Sequence, residues 1–223
     1  MKKIIIAIDG PAGSGKSSSA KIIAEKLNYI YIDTGAMYRA ITLAWLQAGL
    51  ELTPENLHTI SDQSKIELKQ SIDGQKTFLN GVDVSDAIRT PDVTKFVSPV
   101  SADAYVRELM VAQQREMGKS GGVVMDGRDI GTVVFPNAEL KIYLIASIQA
   151  RAERRYLEMT KKGMEVTISE VEKLISDRDL YDSSRNISPL KKAEDAIEID
   201  TSNLTIIEQT NKVIDLANKI ILD

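Results

Sequence analysis

Gly10-Pro11-Ala12-Gly13-Ser14-Gly15-Lys16-Ser17 satisfies the phosphate-loop pattern G-x-x-x-x-G-K-[ST] at every fixed position. Its flanks agree with that reading. Lys3-Ile4-Ile5-Ile6-Ala7-Ile8 is a short apolar run rich in β-branched residues, as a buried parallel strand requires. Downstream, Ala20, Ile23, Ala24 and Leu27 recur at helical spacing as far as Asn28. A strand therefore enters a glycine-rich turn that opens a helix. Such a backbone can curl until several N–H groups point at one spot, where the helix dipole also favours an anion. Residues Gly10 to Ser17, with Ser18 beyond them, are expected to hold the phosphates of ATP. Lys16 is expected to reach the β- and γ-phosphates, and the Ser17 hydroxyl to ligate Mg²⁺.

Composition narrows the rest. The 223 residues are 43% hydrophobic and 27% charged, ordinary for a globular chain, and the length suggests one domain with a small insertion. With 28 basic and 32 acidic residues the net charge is −4, so no broad basic surface advertises nucleic acid or an anionic membrane. The absence of cysteine excludes disulfides, thiolate metal sites and cysteine nucleophiles, and suits a reducing compartment. Asp9 interrupts the apolar N-terminal run well short of a signal-peptide core. No stretch approaches the ~20 apolar residues of a membrane span. A cytoplasmic protein is expected.

Along the chain, Tyr29-Ile30-Tyr31-Ile32 reads as a second strand and residues 36–46 as a helix with Trp45 packed beneath it. Ile66–Lys69, Thr77–Leu79 and Val82–Val84 alternate around Asp73-Gly74 and Asn80-Gly81 turns, which predicts a small antiparallel sheet. Val106, Leu109, Met110, Gln113 and Met117 restore a helical period. Strands are expected at 122–126, 140–145 and 196–200, with helices near 149–162 and 169–180 and a final one carrying Ile206, Val213, Ile214, Ala217 and Ile221. The fold class is therefore α/β: a five-stranded parallel phosphate-loop sheet flanked by helices, with an inserted antiparallel β subdomain and a helical lid. The expected division is a core of 1–49 and 92–223, containing a lid at about 149–168, and an insertion at 50–91.

Phosphoryl transfer is mostly positioning and charge neutralisation, so arginines or lysines must converge from several segments. Arg39, Arg107, Arg128, Arg178 and Arg185 are the candidates, and Arg39 and Arg128 gain weight from lying just beyond strand C-terminal ends, where open α/β sheets bind ligands. Arg151, Arg154 and Arg155 are spaced i, i+3, i+4 on one helical face. They predict a lid that neutralises the transferring group and excludes water, with Lys161-Lys162-Gly163 as its turn.

Four segments together carry a resemblance: residues 8–17, Asp33-Thr34-Gly35-Ala36-Met37-Tyr38-Arg39, Asp126-Gly127-Arg128-Asp129-Ile130-Gly131-Thr132-Val133-Val134-Phe135-Pro136, and Ser188-Pro189-Leu190. The chain closely resembles the bacterial cytidylate kinases, nearly end to end. The resemblance implies ATP-dependent phosphorylation of CMP and dCMP. It implies that Thr34, Arg107 and Asp129 read the cytosine ring and that Ser98, Arg178 and Asp182 hold the sugar hydroxyls. Arg39, Arg128 and Arg185 would clamp the acceptor phosphate. Lys16, Arg128, Arg154 and Arg155 would carry catalysis, Arg154 also touching ATP, and the protein would act as a monomer.

No His/Asp/Glu cluster has metal-ligand spacing, so Mg²⁺ is expected on phosphates and water with Ser17 as its direct protein ligand. Asp33 is a candidate for ordering metal-bound water or the loop. His58, the sole histidine, reads as a surface residue. An acceptor phosphate is already anionic at neutral pH, so a dedicated base is dispensable. A kinase of another small acceptor, a nucleotide-dependent switch and a nucleic-acid-binding module are the competing readings. The switch lacks an Asn-Lys-x-Asp guanine signature, and the binding module lacks a basic–aromatic stripe.

Overall fold

The architecture was obtained as a computed structural model that describes residues 2–72, 74–161 and 163–222. The chain forms two compact units, Met1–Tyr31 with Ser120–Asp223, and Ile32–Lys119.

The first unit is built on β1 (Ile5–Asp9), which leads through the glycine-rich turn into α1 (Lys16–Leu27). Asn28 ends α1 in the left-handed conformation, and β2 (Ile30–Asp33) follows, its last two residues belonging to the second unit. The large sheet takes the order β2-β6-β1-β7-β8, with β6 at Val123–Gly127, β7 at Leu140–Ile145 and β8 at Ile197–Asp200. Its strands are parallel, which matches the alternation of strand and helix. Ile6, Ala7 and Ile8 have no exposed surface. That is why β1 reads as a continuous apolar run rather than an alternating one: helices cover both faces of a parallel sheet.

The helices α6 (Ile148–Lys161), α7 (Ile168–Ser184) and α8 (Ile206–Leu222) complete the unit. Val213 and Ala217 of α8 join Ile4, Ile6, Ile8, Ile23 and Leu144 in one apolar core. Each such aliphatic side chain contributes about 1.5–3 kcal/mol when fully buried.

The second unit contains α2 (Thr34–Ala48), α3 (Pro54–Asp62), an antiparallel sheet of β3 (Ile66–Ser71), β4 (Gly74–Leu79) and β5 (Val82–Asp83), then α4 (Pro91–Ala102) and α5 (Ala104–Gly118). Asn80 and Gly81 both have positive φ (50° and 83°), as the tight β4–β5 turn requires. Asp73 of the Asp73-Gly74 turn and Lys162 of the Lys161-Lys162-Gly163 turn lie outside the described residues.

Two helices here escaped the alternation pattern. Both begin with a threonine and a proline: Thr53 accepts from the Asn56 N–H before Pro54, and Thr90 precedes Pro91. That start signal is local and readable, but the strand pattern around it masked the first helix. Trp45 is buried and meets Phe96 edge-on at 5.1 Å. Ile66, Leu79 and Val84 of segment 50–91 share a core with Met37 and Ile41 of α2, Val97 of α4 and Met110 of α5. No helix among the described residues is long and apolar enough to cross a membrane.

Candidate active site

The phosphate loop hangs between β1 and α1. Gly10 has φ +144°, and a Cβ there would lie 2.1 Å from the Leu144 carbonyl oxygen, so only glycine lets the chain leave the sheet at that point. Gly15, at φ +86°, is the left-handed residue that turns the loop into α1. Lys16 is buried and donates to the Pro11 carbonyl (2.5 Å) and the Ser14 hydroxyl (3.3 Å). Burial and the neighbouring Arg128 lower its pKa well below the usual lysine range, while Asp126 and Asp9 pull the other way. A polyphosphate would supply the anion this ammonium is short of.

Side chains from distant parts of the unit hold the loop's carbonyls. Thr201 donates to the Ser14 carbonyl (3.1 Å) and Gln209 to that of Gly15 (3.2 Å). Arg151, assigned from its spacing to a basic lid face, is buried. It donates to the Ala12 carbonyl (3.1 Å), the Ala146 carbonyl (3.0 Å) and the Asp179 carboxylate. Arg154 donates to the Thr201 and Ser202 carbonyls, and Arg155 pairs with Glu158 (2.9 Å) at the surface. The three arginines share a helix face but not an environment. Ser18 is exposed on the first turn of α1.

Beside the loop, Ser17 donates to Asp126 Oδ2 (2.7 Å), and the Tyr31 hydroxyl donates to Asp126 Oδ1 (2.8 Å). Asp126 is buried near the end of β6. An acid closing the apolar run Val123-Val124-Met125 is a readable sign of a site residue, although no local pattern gives it a role. A hydroxyl and a carboxylate in contact form a hard-oxygen donor pair that fits Mg²⁺. Among the described residues there is no cluster of three or more His, Asp or Glu that could hold a metal by themselves.

β1 and β6 run side by side with Asp9 opposite Gly127, so the phosphate loop and the Arg128–Asp129 segment leave the sheet at the same end. Arg128 donates through Nε to Asp182 Oδ2 (2.9 Å), and Arg178 Nε lies 3.8 Å from the same oxygen. Burial alone would raise the Asp182 pKa, but Arg128, Arg178 and Arg185 together hold it below the ordinary carboxylate value. Arg185 donates to the Ser188 carbonyl (2.6 Å), Ser188 has φ +48°, and the Leu190 N–H donates to the Asp182 carbonyl (2.7 Å). The Ser188-Pro189-Leu190 segment thus folds back on the end of α7. Asp129 is buried, with backbone φ −147° and ψ 23° at the head of a wide helical turn, Ile130–Val134.

The remaining predicted residues belong to the second unit. Thr34 is buried at the start of α2, where Asp33 caps the helix by accepting from the Ala36 N–H (3.0 Å) and pairs with Arg89 (3.4 Å). A cap is thus the visible role of Asp33. Arg39 donates to Thr94 (2.9 Å). Arg107 is buried, donates to the Ser101 carbonyl (3.1 Å) and stands 5.3 Å from the Tyr38 ring centroid. Ser98 is half-buried on α4 just before Pro99. His58, partly exposed, meets Asp103 (3.3 Å) and stacks near Tyr105.

A phosphate loop on a five-stranded parallel sheet, with a carboxylate-bound arginine cluster at the neighbouring strand end, defines a phosphate-loop kinase. The fold agrees with solved structures of low sequence identity. A shikimate kinase from Bacteroides thetaiotaomicron shares it at TM-score 0.50 and 14% identity, covering all of both chains. An uncharacterised protein from Eubacterium ventriosum does so at TM-score 0.53 and 15% identity, covering 98% of this chain and 99% of the other. Residues 6–219 match the cytidylate kinase family, and the chain belongs to that family. It is 55% identical over 215 residues to the cytidylate kinase of Bacillus subtilis, covering 96% of each chain. To that of Bacillus pumilus it is 54% identical over 220 residues, covering 98% of each.

Proposed function

We infer that this enzyme transfers the γ-phosphoryl group of ATP to CMP and dCMP, giving CDP and dCDP. The observation that carries the reading is the Arg128–Asp182 pair beside the phosphate loop, in a chain of the cytidylate kinase family. An oxygen of the acceptor's α-phosphate attacks the γ-phosphorus, the bond to the β,γ-bridging oxygen breaks, and ADP leaves. The attacking oxygen is already anionic, so no general base is assigned.

In this proposal Gly10 to Ser18 hold the donor phosphates and Lys16 spans the β- and γ-groups. Arg154 and Arg155, on a lid at 149–168, neutralise the transferring group. Arg39, Arg128 and Arg185 bind the acceptor phosphate. Ser98, Arg178 and Asp182 take the sugar, and Thr34, Arg107 and Asp129 take the base. A carboxylate at position 129 suits cytosine, which offers N4–H₂. Uracil would set a carbonyl against it and cost about 1–3 kcal/mol. Segment 50–91 serves the acceptor side, a reading supported by the core it shares with the helices of Arg39, Ser98 and Arg107.

Ser17, with Asp126 behind it, is the residue proposed to hold Mg²⁺. When bound, the ion neutralises the phosphate chain. The same reading makes the protein a cytoplasmic monomer whose partners are ATP and CMP or dCMP, with no nucleic-acid or membrane partner. A panel of nucleoside monophosphates assayed with Mg-ATP tests it. CMP and dCMP should be phosphorylated in clear preference to UMP and dTMP. Brisk turnover of UMP or dTMP with none of CMP would overturn the assignment.

A further inference from the structure

Asp9 closes β1 immediately before the phosphate loop, a position that the loop pattern itself leaves unspecified. Its side chain nevertheless makes two well-formed bonds, both to one distant segment. Oδ1 accepts from the Ile130 N–H at 2.8 Å and Oδ2 from the Gly131 N–H at 2.7 Å. The residue is only 4% exposed. Burying an acid there is costly, and its pKa is pushed up to about 7 by that burial, drawn back by the Gly131 and Ile130 N–H groups, raised by Asp129 and lowered by Lys16. An apolar residue would fill the space without that cost but would leave two buried N–H groups unpaired.

The two N–H groups belong to the residues directly after Asp129. The Asp129 backbone sits outside the ordinary helical and extended regions, and its carbonyl accepts from Val133 (2.8 Å) and Val134 (3.2 Å). Gly131 packs closely there too, since an added Cβ would stand 3.2 Å from the Lys141 side chain and 3.4 Å from Asp9 Oδ2. The turn that presents Asp129 is thus held by the Asp9 carboxylate, with the Lys141 chain packed against Gly131 beside it. We propose that Asp9 is a positioning residue for base selectivity, its carboxylate fixing the Ile130–Gly131 backbone so that Asp129 is held where it reads the acceptor base. This rests on the assignment of Asp129 to the base under the proposed function. It also makes one residue answer to both halves of the reaction, since the same carboxylate ends the strand that launches the phosphate loop.

The test is the ratio of kcat/KM for CMP to that for UMP, which is independent of how much of a preparation is active. It is measured for the wild type and for Asp9→Asn, Gly131→Ala and Asp129→Ala. Asparagine keeps one acceptor and turns an NH₂ group towards the other N–H. Asp9→Asn should lower the ratio about tenfold, the equivalent of one hydrogen bond, with KM for ATP changed less than about threefold. Equal losses for CMP and UMP, leaving the ratio intact, would show a merely structural role and overturn the inference. If Asp9→Asn does not fold, Gly131→Ala displaces the same turn with the carboxylate retained. It should lower the ratio in the same direction, and an unchanged ratio overturns the inference. A fall in the ratio in Asp129→Ala alone removes Asp9 from selectivity and leaves the base reader standing. An unchanged ratio in Asp129→Ala removes the base reader, and this inference with it.

Discussion

Replacing Asp182 by asparagine keeps the volume of a buried side chain and removes its charge, so it isolates what the carboxylate does for the arginines around it. The side chain is 4% exposed and accepts from Arg128 Nε at 2.9 Å. A hydrogen bond between charged partners is about twice as strong as a neutral one, so turning the acceptor neutral loses about 1–1.5 kcal/mol. The attraction to Arg178 Nε at 3.8 Å is lost as well. That guanidinium is partly open to water, which limits the second loss to about 1 kcal/mol. The sum is about 2–2.5 kcal/mol, or roughly 4–10 °C in Tm for a chain of this size.

Because the folded-state pKa of Asp182 lies below its ordinary value of 3.8, its stabilisation is complete above that pH and is lost as pH falls through the lower folded value. The difference in Tm between wild type and variant should therefore be constant from about pH 8 to about pH 5 and begin to close only below 3.8. In the coupled assay at neutral pH, KM for CMP should rise about 10–100-fold while KM for ATP stays nearly constant. Thermal unfolding followed by circular dichroism, with the two KM values, decides the matter. An unchanged Tm and an unchanged KM for CMP would refute both the energetic and the functional role of the pair.

Lys16→Ala should abolish transfer while leaving the circular dichroism spectrum intact, and near-normal turnover would remove the lysine from the donor site. Gly10→Ala drives a Cβ to 2.1 Å from the Leu144 carbonyl oxygen, which forces the loop from the sheet. A shift of about 1 Å there should lower kcat roughly 100-fold, and a variant with wild-type kcat and Tm would contradict the close approach. Tyr31→Phe removes the 2.8 Å bond to buried Asp126. It should cost about 1.5–3 kcal/mol and raise the free Mg²⁺ needed for half-maximal rate; an unchanged Mg²⁺ titration curve would separate Asp126 from the metal.

Features spelled out by contiguous residues were legible without coordinates. The phosphate loop is set by eight consecutive residues between an apolar run and an amphipathic one, and the Asn80-Gly81 turn needs only positive φ at two neighbours. Strand–helix alternation was sufficient for a five-stranded parallel sheet. Arg39 and Arg128 could be named because their segments follow strands. Their partners could not be named. Arg151, Arg154 and Arg155 look equivalent at helical spacing, yet one is buried against Ala12 and Asp179, one caps the end of β8 and one stays at the surface.

Nor does any local pattern mark Tyr31 as the partner of Asp126, Gln209 as the partner of Gly15, or Asp9 as the anchor of residues 130 and 131. Each of these contacts joins segments far apart in the chain, and those of Tyr31 and Asp9 depend on β6 having inserted between β1 and β2. Short-range sterics and periodicity act within a few residues and are written into the sequence. Which strand lies beside which is settled by packing the whole sheet and its helices at once. The sequence by itself therefore determined that a phosphate-binding turn exists on an α/β sheet. Only the tertiary structure decided which carboxylate stands behind it and which backbone that carboxylate holds.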